Sequence, residues 1–167
     1  MKRKVLLAAL LCVGLAAAGV AGVKTDFDHS VSFSKYHTFA WKSGPRDGMS
    51  DNSLVQDRVQ GAVNREMQQK GFRLDNRNPD IVLSYQFSGA ERQDFYPGRW
   101  HRWGWWGDEP YYYTEGKLTL DMTDAHTNRL VWRAYSTNTG DDLADVQKKA
   151  DKLAMDALKK FPPSDKG

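Results

Sequence analysis

Residues 117–136 read KLTLDMTDAHTNRLVWRAYS, and this stretch decides the fold. From Lys117 to Thr123 apolar and polar residues alternate: Leu118, Leu120 and Met122 fall on one face, Lys117, Thr119 and Asp121 on the other. That period of two is the signature of a half-buried strand. Asp124-Ala125-His126-Thr127-Asn128 is a turn by composition. The chain then returns from Leu130 to Ser136, with Leu130, Trp132 and Ala134 on one face. Two strands joined by about five residues predict a β-hairpin with one wall facing a core.

Working outward, Ile81 to Phe87 predicts another strand, with Ile81, Leu83, Tyr85 and Phe87 on one face and the turn Asn78-Pro79-Asp80 before it. Val23 to Asp28 alternates over a short strand, and Tyr36 to Trp41 is aromatic and β-rich. The rhythm changes at Ser53, where Val55, Val59, Ala62, Val63 and Met67 recur at helical spacing up to Lys70. Gly71 is the expected left-handed stop, and mid-helix Gly61 suggests close packing on the sheet. A second apolar stripe runs from Leu143 through Val146, Ala150, Leu153, Ala157 and Leu158 to Phe161, and Pro162-Pro163 ends it. The fold class predicted is α+β: a mainly antiparallel sheet of about five strands in the order β-β-α-β-β-β-α, with two helices packed on one face.

The N-terminus carries a different message. Met1-Lys2-Arg3-Lys4 precedes an uncharged apolar run from Val5 to Val23, Leu-rich at first and Ala/Gly-rich later. This is the pattern of a cleavable export signal over residues 1–22. A retained membrane anchor is the alternative reading of the same run. Cys12 is the sole cysteine, but Leu11 stands before it where a lipidation signal has a small residue, so lipidation there is not expected. Removing Lys2, Arg3 and Lys4 from 24 basic residues leaves 21, equal to the 21 acidic ones. A neutral chain lacks the field that gathers phosphates, which argues against nucleic acid as a partner. The expected domain spans residues 23–163, with 164–167 a disordered tail, in a periplasmic or outer-envelope setting.

Several segments together resemble a known family. Tyr36-His37-Thr38-Phe39-Ala40-Trp41 resembles the Y-x-T-F-A-W near the start of DUF4136 domains. Lys70-Gly71-Phe72 with Pro79-Asp80-Ile81-Val82-Leu83-Ser84-Tyr85 is similar to its K-G-[YF] and P-D-[LI]-x-V-x-Y segments. Glu115-Gly116-Lys117-Leu118-Thr119-Leu120-Asp121, Leu130-Val131-Trp132-Arg133 and Phe161-Pro162-Pro163 match its later motifs in order. The resemblance implies a small exported bacterial protein, often a predicted lipoprotein, of undetermined role. It supplies no catalytic residues. Trp41, Tyr85 and Trp132 at strand spacing read as core or sheet-face aromatics.

One stretch stands apart. Between Phe95 and Tyr113 lie four of the six tryptophans, with Arg99, Trp100, His101, Arg102, Trp103, Trp105, Trp106, Tyr111 and Tyr112 separated by Gly and Pro. Read functionally, it is a stacking surface for a glycan or lipid headgroup, with Arg99 and Arg102 holding an anionic group and the rings favouring a bilayer interface. Read structurally, it is a loop that covers the core, or a mobile insert.

Catalysis finds little support. His29, His37, His101 and His126 lie at no metal-binding spacing, and neither H-E-x-x-H nor G-x-S-x-G occurs. His101 with Asp94, Asp108 and Glu109 is the best available cluster and is weak. Glu115 and Asp121 fall about 20 Å apart along a strand, too far for a carboxylate pair. The expectation is a non-catalytic envelope protein without cofactor. Its partner is another envelope protein or, alternatively, a glycan or lipid headgroup met through residues 95–113, with peripheral membrane contact.

Overall fold

A computed structural model describes residues 22–42, 53–96, 100–101, 104–105 and 109–163. The expected signal segment with Cys12, the loop after Lys42 and the tail after Pro163 lie outside them. The chain runs β1 (Lys24–Phe27), a single 3-10 turn (Phe33–Lys35), β2 (Thr38–Trp41), α1 (Ser53–Gln69), β3 (Arg73–Leu74), β4 (Ile81–Tyr96), β5 (Trp100–His101), β6 (Gly104–Trp105), β7 (Glu109–Asp124), β8 (Leu130–Gly140), α2 (Leu143–Lys148) and α3 (Ala150–Leu158).

The expected α+β class and the five expected strands are present as β1, β2, β4, β7 and β8, but the sheet is mixed and six-stranded. Its order is β1-β8-β7-β4-β2-β3, and β5 pairs separately with β6. The β1–β8–β7–β4 part is antiparallel, while β2 runs parallel to both β4 and β3. The cause is α1. A parallel pair needs a long crossover, and the helix between β2 and β4 supplies it. β3 left no trace in the sequence because it is two exposed residues beside β2.

The helices cover one face, as expected. Val55, Val59, Ala62, Val63 and Met67 of α1 are all buried against the sheet side chains Ile81, Leu83, Phe87, Leu118, Leu120, Met122, Trp132 and Ala134. The last helix is two: α2 and α3 are separated at Lys149, whose backbone (φ −96°, ψ 8°) leaves the helical region. The apolar stripe continues across the break, so the pattern hides it. Phe161 then closes the core, its ring 5.9 Å from Phe33, 5.5 Å from Phe72 and 5.3 Å from Trp132.

Two local expectations change. Met122 pairs with Trp132 and Thr123 with Leu130, so Val131 is a bulge. An extra residue reverses which side chains point inward. Val131 and Trp132 are both buried, and Leu130, expected inside, is 44% exposed. Gly71 does stop α1, at φ +89°. Gly61 does not pack on the sheet: a Cβ there would meet only the Arg65 guanidinium, at 3.5 Å. That is ordinary contact with a flexible group. Gly61→Ala is therefore expected to stabilise the protein by about 1 kcal/mol, the difference in helix propensity, read as a higher urea midpoint with unchanged slope.

Candidate functional site

The aromatic segment is not a featureless loop. β4 and β7 each run for 16 residues and pair continuously from Ile81↔Asp124 to Tyr96↔Glu109. At the usual rise this hairpin is about 50 Å long. β8 accompanies β7 only as far as Thr114↔Gly140, and β2 accompanies β4 only as far as Leu83. The rungs from Arg92↔Tyr113 to Tyr96↔Glu109 therefore form a two-stranded arm that outruns the sheet.

Two of the arm's described aromatics are presented to solvent, while Tyr111 and Tyr113 are half-buried. Phe95 is 52% and Tyr112 62% exposed. The rings of Tyr111 and Tyr113 lie 5.9 Å apart, tilted at 31°. Tyr111 Oη donates to Asp94 Oδ2 at 3.4 Å across the ladder, and Arg92 meets Glu115 at 3.8 Å. The reading in which this segment covers Leu118, Leu120 and Trp132 fails for its described part: those residues are buried in the core that the helices close. Beyond the arm, Trp100 pairs with Trp105 and His101 with Gly104 in the β5–β6 ribbon. Arg99, Arg102, Trp103 and Trp106 lie outside the described residues. The ladder thus brings Tyr111 and Tyr112 onto the arm and sets Trp100 opposite Trp105.

At the arm's base is a cleft of about 420 Å³, which the sequence reading missed. Glu91, Tyr112 and Thr114 line it from the hairpin, and Asp141, Asp142 and Leu143 from the start of α2. Two glycines face each other across the ladder beside it, Gly89↔Gly116. A Cβ on Gly116 would lie 2.9 Å from the Cβ of Val146, so only glycine lets α2 come down onto β7. Asp142 caps that helix, its Oδ1 accepting from the Asp145 amide at 2.7 Å.

The carboxylates elsewhere are structural. Asp80, at the end of the Asn78-Pro79-Asp80 turn, reaches to the start of β2: its Oδ2 accepts from the amides of His37 at 2.8 Å and Thr38 at 2.9 Å. The His37 amide bond leads in lowering its pKa; burial opposes, and Thr38 adds to the lowering. Asp124 sits buried under the hairpin turn. Its Oδ2 accepts from Tyr36 Oη at 2.7 Å and its Oδ1 from the amides of His126 and Thr127, both at 2.9 Å. Burial alone would raise its pKa, but these donors outweigh it and hold the carboxyl far below the usual range. Burial, then the bond to Asp124, pushes the Tyr36 phenol well up. Asp121 is clamped by Arg133 through two bonds of 2.6 Å. Among the described residues no group of three His, Cys, Asp or Glu is placed to hold a metal, and no helix is long and apolar enough to cross a membrane.

A solved structure shares this architecture at low identity. A PDZ domain protein from Parabacteroides distasonis ATCC 8503 superimposes with a TM-score of 0.61 at 14% identity, over 85% of this chain. This chain spans only 35% of that one, so the likeness speaks for fold alone. A PelC dodecamer from Paraburkholderia phytofirmans gives a TM-score of 0.46 at 15% identity, covering 82% of this chain and 96% of that one. A minor lipoprotein from Acinetobacter baumannii gives 0.41 at 11% identity, covering 75% and 89%. No curated protein matches the sequence. The domain of unknown function DUF4136 matches residues 23–163, from the residue before β1 to the prolines after α3, and the chain belongs to that family.

Proposed function

We propose that this is a non-catalytic, exported protein of the bacterial cell envelope that docks on a partner protein through the β4–β7 arm. The observation that carries the reading is the arm itself. It extends five rungs past the sheet and exposes Phe95 and Tyr112 where no core requires them. Exposed aromatics on a rigid element suit the centre of a protein interface. Unpaired strand edges on the same element suit a further strand. The Lys2-Arg3-Lys4 start and the apolar run after it supply the export half of the proposal. Asp80 and Asp124, both with lowered pKa values, hold strands and turns together, which supports a binding rather than a catalytic role.

A photo-crosslinking residue placed at Phe95 or Tyr112 in cells making the protein is expected to give discrete protein adducts. The same residue at Gln69, exposed on α1, is expected to give none. Absence of adducts from both arm positions would refute the docking role.

The register Trp100↔Trp105 favours a second reading, a glycan or lipid headgroup held by Arg99, Trp100, Arg102, Trp103, Trp105, Trp106, Tyr111 and Tyr112. Tryptophan fluorescence titrated with peptidoglycan fragments and with lipopolysaccharide tests it. A saturable shift supports this reading, and a flat response at millimolar ligand removes it.

A further inference from the structure

We propose that the open edge of β4 in the arm pairs, antiparallel, with the same edge of a second copy of this chain. The inference rests on the docking role proposed above and names its partner. Past Leu83, where β2 leaves it, β4 runs from Ser84 to Tyr96 with a strand neighbour on one side only among the described residues. No proline interrupts that stretch, so its outward amides can donate. The other open edges of the sheet are short. β1 has four residues and β3 two, β8 outruns β1 only from Ser136 to Gly140, and β7 outruns β8 only from Glu109 to Tyr113. Short edges discourage sheet-to-sheet pairing, and β4 lacks that protection. A two-stranded ribbon is also marginal in water, whereas three or more strands hold.

The charges on this edge select the occupant. Glu91, Arg92, Gln93, Asp94 and Phe95 are all exposed. Charge can itself guard an edge, but here its order fits a second copy. Two antiparallel copies are related by a two-fold axis normal to the sheet, so one residue of β4 faces its own copy and its neighbours face each other in reciprocal pairs. An axis at Glu91, Arg92 or Asp94 sets a charge against itself. An axis at Gln93 sets Arg92 of each copy opposite Asp94 of the other, twice over. Arg92 and Asp94 are two residues apart and share a face. Opposite charges across neighbouring strands stabilise the pair, and like charges destabilise it. Within one copy Arg92 meets Glu115 only at 3.8 Å, and Asp94 accepts from the Phe95 amide at 2.9 Å and the Tyr111 hydroxyl at 3.4 Å. On the opposite face, the same register brings the exposed Phe95 and Tyr112 of both copies onto one side of a four-stranded sheet.

The test is sedimentation velocity of the purified protein over a wide concentration range. A monomer–dimer equilibrium that weakens with added salt is expected. Arg92→Asp and Asp94→Arg are each expected to weaken the dimer about tenfold, and the two together to restore it, with thermal melts unchanged. A second measurement stands apart from the charges. In a Cys12→Ser background, Gln93→Cys is expected to form a disulfide-linked dimer on mild oxidation, because residues facing each other across an antiparallel pair lie within reach of that bond. Gln86→Cys, exposed on the same strand but off the axis, is expected to form none. A monomer at every concentration overturns the proposal, as does a dimer that ignores both single charge variants, or equal linkage at positions 86 and 93. The docking role is read separately, by the mass of the adducts crosslinked at Phe95. Adducts of twice the chain mass support the second copy. Adducts of any other mass, from a chain that stays monomeric, overturn it and leave docking standing.

Discussion

Phe161→Ala is expected to cost about 3–5 kcal/mol, a large part of the stability of a domain this size. The ring lies at the meeting point of three others, from the 3-10 turn, the end of α1 and β8, each with its centroid within 6 Å. Truncation removes those contacts and leaves a void walled by Phe33, Phe72 and Trp132. Close-packed interiors fill such voids poorly, so a cavity cost adds to the lost transfer free energy. Phe161 also pins the chain as it leaves α3, so the void opens beside a helix end. Equilibrium unfolding in urea should show the loss as a lower midpoint, and the melting temperature should fall by on the order of 10 °C. A loss below about 1 kcal/mol would mean that the aromatic cluster repacks freely, contrary to its placement.

Asp124→Asn ranks next, at about 2–3 kcal/mol near neutral pH. The amide keeps one acceptor oxygen for four donors: the hydroxyl of Tyr36, the ammonium of Lys35, and the amides of His126 and Thr127. The pH dependence distinguishes this from a packing defect. The folded pKa of Asp124 lies below its unfolded value, so the folded state favours the charged form. Its contribution is complete above the ordinary carboxylate range, near 4, and is lost as pH falls through the folded pKa. Asp80 shifts in the same direction and adds to the trend. The wild-type urea midpoint should therefore fall as pH drops below about 4, and the variant's should fall less, so that the two converge in acid. Parallel curves from neutral pH to acid would refute the charge-based account.

How much of this was legible in the sequence depended on burial. The 117–136 hairpin and α1 declared themselves because one face of each meets the core, and burial writes a period into the residues. Arg92-Gln93-Asp94 carries no such period, because these arm residues are exposed and pair only with β7. Val131 shows the reverse limit. A bulge shifts the phase of an otherwise regular strand, and Leu130 was assigned to the wrong face on phase alone. Asp80 looked local because it follows Pro79, yet its partners lie across the sheet at His37 and Thr38. The cleft was invisible because Glu91, Tyr112, Thr114 and Asp141 meet only after β8 has returned along β7 and α2 has come down over Gly116. The facing glycines were the one available hint, and reading them needed the register.

The pairing of β1 with β8 has a consequence for how the molecule is made. Lys24 aligns with Tyr135 and Phe27 with Trp132, so the earliest strand to be synthesised finds its neighbour almost at the finish. Until then its edge has nothing to zip onto, and closing so long a span is slow. A chain built this way completes its sheet only when its last third has been made.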